Sequence, residues 1–210
     1  MSHSLPAVVR RYLSALRLLL LLTVITGVIY PLAVTGVAQA AFGNKADGSQ
    51  VKVDGKVVGS RLIGQNFDLP KKNPDDANEA ARPDPKFFQP RPSAGSYDPL
   101  ASGASNLGPN SPDLVKAIDQ RRKDVAAFDG VNPKEVPTDA LTASGSGLDP
   151  DISQAYAYEQ VNRVAKANGL SPEAVRGLVA DNTQGRSLGF LGEPGVNVLE
   201  LNVDLTKLAG

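Results

Sequence analysis

The sequence predicts an α+β protein: a single N-terminal transmembrane helix, then one soluble domain with a small antiparallel sheet, about three helices and a long, ordered, proline-rich loop. Three observations carry that expectation. Residues Leu18 to Ala41 are uncharged and mostly Leu, Val, Ile or Ala, and at about 1.5 Å rise per residue such a helix reaches roughly 36 Å, enough to cross a hydrocarbon core of about 30 Å. Beyond it, alternating apolar residues around an Asp-Gly pair mark a hairpin, while two Ser-Pro-acid starts mark helices. Between these lie nine of the sixteen prolines, from Pro70 to Pro112, a density that no regular helix or long strand survives.

The span divides the chain into residues 1–12, a short cytoplasmic segment; 13–41, the membrane helix; and 42–210, the soluble domain. Arg10, Arg11 and Arg17 precede the span and no acidic residue occurs before Asp47, so the positive-inside rule places the N-terminus in the cytoplasm and the domain outside. A competing reading is a secretory signal peptide cleaved after Ala38-Gln39-Ala40. The apolar run is longer than the 7–15 residues of a signal core, which favours the uncleaved anchor. Gly27, Thr26 and Thr35 suit packing against other helices.

Composition excludes several activities. There is no cysteine, and the single histidine, His3, precedes the span, so the domain has neither thiolate nor imidazole chemistry. Twenty-two basic residues balance twenty-two acidic ones, which argues against a nucleic-acid surface. No metal site and no catalytic residue is expected in this chain.

Along the domain, Val51–Val58 reads as strand, Asp54-Gly55 turn, strand, the second strand continuing through Leu62-Ile63. Phe67, Phe87, Phe88 and Tyr97 lie in or beside the proline-rich segment, and disordered segments are poor in aromatics, so the loop is expected to wrap the domain, pinned by those rings. Ser111-Pro112-Asp113 starts a helix with Leu114, Ile118, Val125 and Phe128 on one face and Lys116, Arg121, Arg122 and Lys123 as a solvated basic face. Asp149-Pro150 caps a second helix from about Asp151 to Asn168, burying Ala155, Tyr158, Val161, Val164 and Ala165. Ser171-Pro172 caps a third, ending near Asn182. The odd apolar positions 199–205 predict a final strand that pairs with the hairpin.

One stretch suggests chemistry. Gly145 and Gly147, interleaved with Ser144 and Ser146 ahead of a helix, have the make-up of backbone anion sites, without the lysine of a P-loop. The order of motifs says more. Gly59–Phe67, Pro90–Ser93, Ser102–Asn106, Thr142–Asp149, Arg163–Ala167 and Gly192–Asn202 together resemble the C subunit, KdpC, of the bacterial potassium-transporting P-type ATPase. The resemblance implies a non-catalytic accessory subunit of an inner-membrane potassium uptake pump. It implies as partners a channel-like potassium-binding subunit, a P-type ATPase subunit and a small single-span subunit, besides membrane lipid. It also implies a role in assembly and in raising the pump's affinity for ATP, with Ser144, Gly145, Ser146, Gly147 and Gln160 as nucleotide contacts. The arginine flanks oppose direct contact, because they place Gln160 outside the cell, away from ATP.

Overall fold

The computed structural model describes residues 6–76 and 79–210. It divides into an N-terminal unit ending at Ser49 and a second unit, Gln50–Gly210.

The first unit is helical: α1 (Ala7–Val24), a π-helical turn (Ile25–Ile29) and α2 (Tyr30–Ala46). The irregular turn has a local cause. Pro31 has no N–H to offer the Gly27 carbonyl four residues back, and separately Thr26 Oγ1 donates to the Leu22 carbonyl at 2.7 Å. The whole run is long and apolar enough to span a bilayer. Its backbone breaks at Phe42, where φ −139° and ψ 36° leave the helical region, one residue beyond the expected end of the span.

The second unit opens with the hairpin of β1 (Gln50–Val53) and β2 (Lys56–Ser60), registered Val53 to Lys56 and Gln50 to Ser60 with a bulge after Val51. Asp54 and Gly55 have φ 49° and 76°, the pair of positive angles that a type I′ turn demands. Strand β2 stops at Ser60 instead of running through Leu62-Ile63: Ile63 N–H turns back to the Ser60 carbonyl.

The described part of the proline-rich loop forms no helix and no strand beyond an isolated bridge between Asp68 and Pro83. Leu69 N–H donates to the Arg82 carbonyl and Asp84 N–H to the Phe67 carbonyl, closing a narrow neck. The Phe67 and Phe87 rings lie 5.7 Å apart, and Phe88 is fully buried.

Helix α3 (Pro112–Asp129) follows, ended by Gly130 in the left-handed region. Ser111 occupies its N-cap position but makes no side-chain cap bond. Its basic face is only partly free, since Arg121 Nη1 donates to the Leu141 carbonyl at 3.0 Å, tying α3 to the single turn α4 (Thr138–Leu141).

The second predicted helix begins later than expected. Asp151–Ile152 is a short strand, β3, and Ser153 caps α5 (Gln154–Asn168) by accepting from Tyr156 N–H at 3.1 Å. Asp149 is occupied elsewhere, with Oδ2 on Arg91 at 2.7 Å and Oδ1 accepting from Asp151 N–H. The register of the buried stripe shifts accordingly: Tyr156, Ala157, Val161, Val164 and Ala165 are buried while Ala155 is exposed. Helix α6 (Pro172–Asp181) has the expected cap, Ser171 Oγ accepting from Ala174 N–H.

The final strand is the main correction. Only Gly195–Asn197 is extended (β5), lying between β3 and β4 (Thr183–Gln184) in a three-stranded antiparallel sheet separate from the hairpin. Residues Val198–Ala209 form helix α7. Asn197 Oδ1 accepts from Glu200 N–H at 3.1 Å, an N-cap that turns the chain helical. Val198, Leu201 and Leu205 recur at three and four residues, so the stretch satisfies a helical period as well as a strand period. The core joins Phe88, Val161 and Val164 with Val175, Val179, Val196, Leu201 and Leu205.

Candidate functional site

Gln160 lies one position before Val161 on the apolar stripe of α5, and its side chain has no solvent exposure. A buried carboxamide must find partners. Its Oε1 accepts from Gln89 N–H at 2.6 Å and from Arg163 Nη2 at 2.6 Å, and its Nε2 donates to the Gln89 carbonyl at 3.1 Å. On α7, Asn202 does the same to the preceding residue: Oδ1 accepts from Phe88 N–H at 2.8 Å and Nδ2 donates to the Phe88 carbonyl at 2.9 Å. Two side-chain amides from different helices thus satisfy the backbone of consecutive residues, as neighbouring strands would, where the prolines deny the loop a sheet partner.

Arg163, one turn along α5 from Gln160, completes the fastening. Its Nη1 donates to the carbonyls of Pro85 and Phe87 at 2.7 and 2.9 Å, and its Nε to Asp129 Oδ1 at 2.5 Å. The guanidinium sits 4.4 Å from the centroid of the Phe128 ring, a cation–π contact in a desolvated setting. Residues 85–89 therefore form a strap clamped by α5, α7 and the end of α3. Beside it, the two Glu159 carboxylate oxygens are shielded from solvent and no N–H or hydroxyl donor among the described residues reaches either. Burial pushes the Glu159 carboxyl up to about 7, with Asp129, Asp139 and Glu135 adding repulsion.

The Ser144–Gly147 loop lies at a second junction. Ser144 N–H donates to the Pro92 carbonyl, Ser93 Oγ to the Gly147 carbonyl at 2.7 Å, and both Gly103 N–H and Ser102 Oγ to the Ser146 carbonyl. Gly147 has φ +68°, and a Cβ there would meet the Gly103 carbonyl oxygen at 2.7 Å, whereas a Cβ on Gly145 would meet nothing within 4 Å. Strand β3 separates this loop from α5, so the loop does not lead straight into a helix N-terminus as the sequence suggested. That terminus is occupied by Asp139, whose carboxylate accepts from Ser153 N–H at 2.7 Å and Ser153 Oγ at 2.9 Å.

Several of the sequence blocks that carry the resemblance meet in a spatial cluster. Gly64 N–H donates to the Leu148 carbonyl, Arg91 pairs with Asp149, and Asn197 Nδ2 reaches the Arg61 carbonyl at 2.9 Å. Tyr97 Oη donates to the Arg91 carbonyl, and burial raises that phenol above its ordinary pKa. Of the five residues that the resemblance implied as nucleotide contacts, Ser144 to Gly147 share one loop, while Gln160 lies on α5 and clamps the strap at Gln89. Gln89, Asn202, Asp129 and Arg163 were not among the site residues expected from the sequence, although Arg163 and Asn202 fall within the blocks that carry the resemblance; the available signal was an amide or a charge on a helix face that periodicity makes apolar. Among the described residues no group of His, Asp and Glu has the arrangement of a metal site.

Residues 12–207 match the family described as K+-transporting ATPase, c chain, or KdpC. The chain is 53% identical over 211 residues to the potassium-transporting ATPase KdpC subunit of Kineococcus radiotolerans, covering all of both chains. It is 48% identical over 221 residues to the subunit of the same description from Streptomyces coelicolor, covering 99% of this chain and 97% of that one. With its counterpart from Mycobacterium tuberculosis it shares 46% identity over 205 residues, 95% of this chain and 99% of that one.

Proposed function

This chain belongs to the KdpC family, and from that premise we propose that it is a non-catalytic accessory subunit of an ATP-driven potassium uptake pump. In this reading residues 13–41 anchor it in the cell inner membrane, residues 1–12 face the cytoplasm, and residues 42–210 lie outside. Its partners are the channel-like potassium-binding subunit, the P-type ATPase subunit and the small single-span subunit. Its work is to hold the complex together and to raise the apparent affinity of the ATPase subunit for ATP, with potassium as the cargo of the whole assembly.

The observation that carries this reading is the fate of Gln160. Both polar atoms of its carboxamide are spent inside the fold on Gln89 and Arg163, so a nucleotide reaches it only after the strap departs. An exterior domain then acts on ATP affinity through the assembled subunits rather than by touching the nucleotide at Gln160 and Ser144–Gly147. The arginines before the span support the same orientation.

A single cysteine at Ser146 tests the placement, because Ser146 is exposed and the sequence has no native cysteine. Labelling by a membrane-impermeant thiol reagent on cells with an opened outer envelope is the expected result. Labelling only after the inner membrane is broken would put the domain in the cytoplasm and return the nucleotide contact to Ser144–Gly147 and Gln160.

A further inference from the structure

Glu159 and Arg163 stand four residues apart on α5, acid before base, the spacing and order in which a helix pairs opposite charges. They do not pair. The guanidinium is spent on Asp129, on Gln160 and on the Pro85 and Phe87 carbonyls of the strap. Both Glu159 oxygens are shielded from solvent, with no N–H or alcohol donor among the described residues. Charge counting accounts for this. The Arg163 and Asp129 side chains are only 6% and 1% exposed, so a desolvated cluster with one cation balances one carboxylate and not two. Asp129 takes that place. Glu159 and Asp129 meet as a carboxyl pair, hydrogen-bonded only while one of them holds a proton.

The other charges around Glu159 oppose its ionisation. Glu135, in the turn after α3, and Asp139 on α4 both repel an anion there. Arg122 precedes Asp129 by about two turns on α3, with its Nε shielded and unpartnered. Arg176 of α6 lies against the Tyr158 ring at 5.9 Å, and β5 carries no charged side chain. The Tyr156 phenol, raised by its own burial, stays neutral throughout.

We propose that Glu159 is a proton-controlled latch on the strap of residues 85–89. Protonated, it leaves the Arg163 guanidinium to Asp129, Gln160 and the strap carbonyls. When the proton leaves, two carboxylates compete for one guanidinium, and the helical spacing favours Glu159 as its new partner. The arm that swings to Glu159 lets go of the Pro85 and Phe87 carbonyls and of Gln160 Oε1, so the strap lifts while the helices stay folded. The latch lies wholly within this domain and needs no partner subunit. Its sign follows from burial, which raises the closed carboxyl from 4.5 to about 7. Closure is fully supported below about pH 4.5, and that support is lost as pH rises through about 7.

The test is amide hydrogen exchange of the full chain in detergent at pH 6 and pH 8, each rate divided by its intrinsic value. Protection at the Phe88 and Gln89 amides is expected to fall about tenfold between the two, the factor for a carboxyl that titrates at about 7 when closed and at 4.5 when opened. Exchange there is expected to be insensitive to low urea, the mark of a local opening. Glu159→Gln, of the same shape and uncharged, is expected to keep the pH 6 protection at pH 8. An infrared band of a protonated carboxyl, present at pH 6 and lost by pH 8, checks the unaltered chain whether or not the variant folds. Equal protection at the two pH values would overturn the latch, as would the same drop in Glu159→Gln or the absence of that band at pH 6. Strap exchange that rises with urea as steeply as that of α6 would overturn it too, by placing the loss in global unfolding.

Discussion

Gln160 and Gln89 exchange two hydrogen bonds, Oε1 from Gln89 N–H at 2.6 Å and Nε2 to the Gln89 carbonyl at 3.1 Å, so that one side chain does for the loop what a neighbouring strand does in a sheet. Arg163 shares the same oxygen at 2.6 Å. Gln160→Ala leaves a buried N–H, a buried carbonyl and a guanidinium arm unpaired at once, and is expected to destabilise the full chain in detergent by about 3 kcal/mol. Thermal melting measures it. A raised KM of the pump for ATP with an unchanged melting temperature would instead identify Gln160 as a nucleotide contact.

Asn202→Asp separates the two halves of the other amide clamp. The variant keeps an acceptor for Phe88 N–H but sets a carboxylate against the Phe88 carbonyl where Nδ2 donated at 2.9 Å. Protonation restores a donor, so the folded-state pKa of the new carboxyl is raised. Its stability is therefore highest at low pH and is lost as pH rises through that pKa. Melting of the variant is expected to approach that of the unaltered chain near pH 4 and to fall well below it at pH 8.

The two glycines of the serine–glycine loop are expected to respond differently. Gly147→Ala forces a Cβ to 2.7 Å from the Gly103 carbonyl oxygen at φ +68° and costs about 2 kcal/mol or more, whereas Gly145→Ala meets open space and leaves the melting temperature within about a degree. Equal effects would contradict the stitched arrangement of residues 93, 103 and 147.

Glu159 gives the domain a pH dependence of defined sign. Its carboxyl is raised from the ordinary 4.5 to about 7, so the folded state holds a proton that the unfolded chain releases. The stability contributed is full below about pH 4.5 and declines as pH rises through about 7. Glu159→Gln is expected to flatten that slope and to raise the melting temperature at pH 8, checked by melts from pH 5 to 8.

The legibility of this fold in its sequence followed the locality of the signals. The Asp54-Gly55 hairpin turn, the Ser171-Pro172 helix start and the end of the second helix at Asn168 all rest on neighbouring residues, and each is present. The motif order resembled the family that the chain belongs to. Residues 198–205 misled because their apolar positions fit two periods, and Asn197, three residues before Glu200, was the capping signal that decided between them. Asp149-Pro150 looked like a helix start because its partner, Arg91, lies 58 residues away. The strap was invisible for the same reason: Gln160 and Asn202 face backbone groups 71 and 114 residues distant, and no pattern within one element encodes such pairs.

That last separation also sets a clock. At about 5–20 residues per second of synthesis, Phe88 leaves the ribosome roughly 6 to 23 seconds before Asn202 exists to receive it. Throughout that interval the side chain that completes the peptide hydrogen bonds of Phe88, the most deeply seated aromatic of the domain, has yet to be made, so the strap cannot close in its final form until helix α7 has arrived.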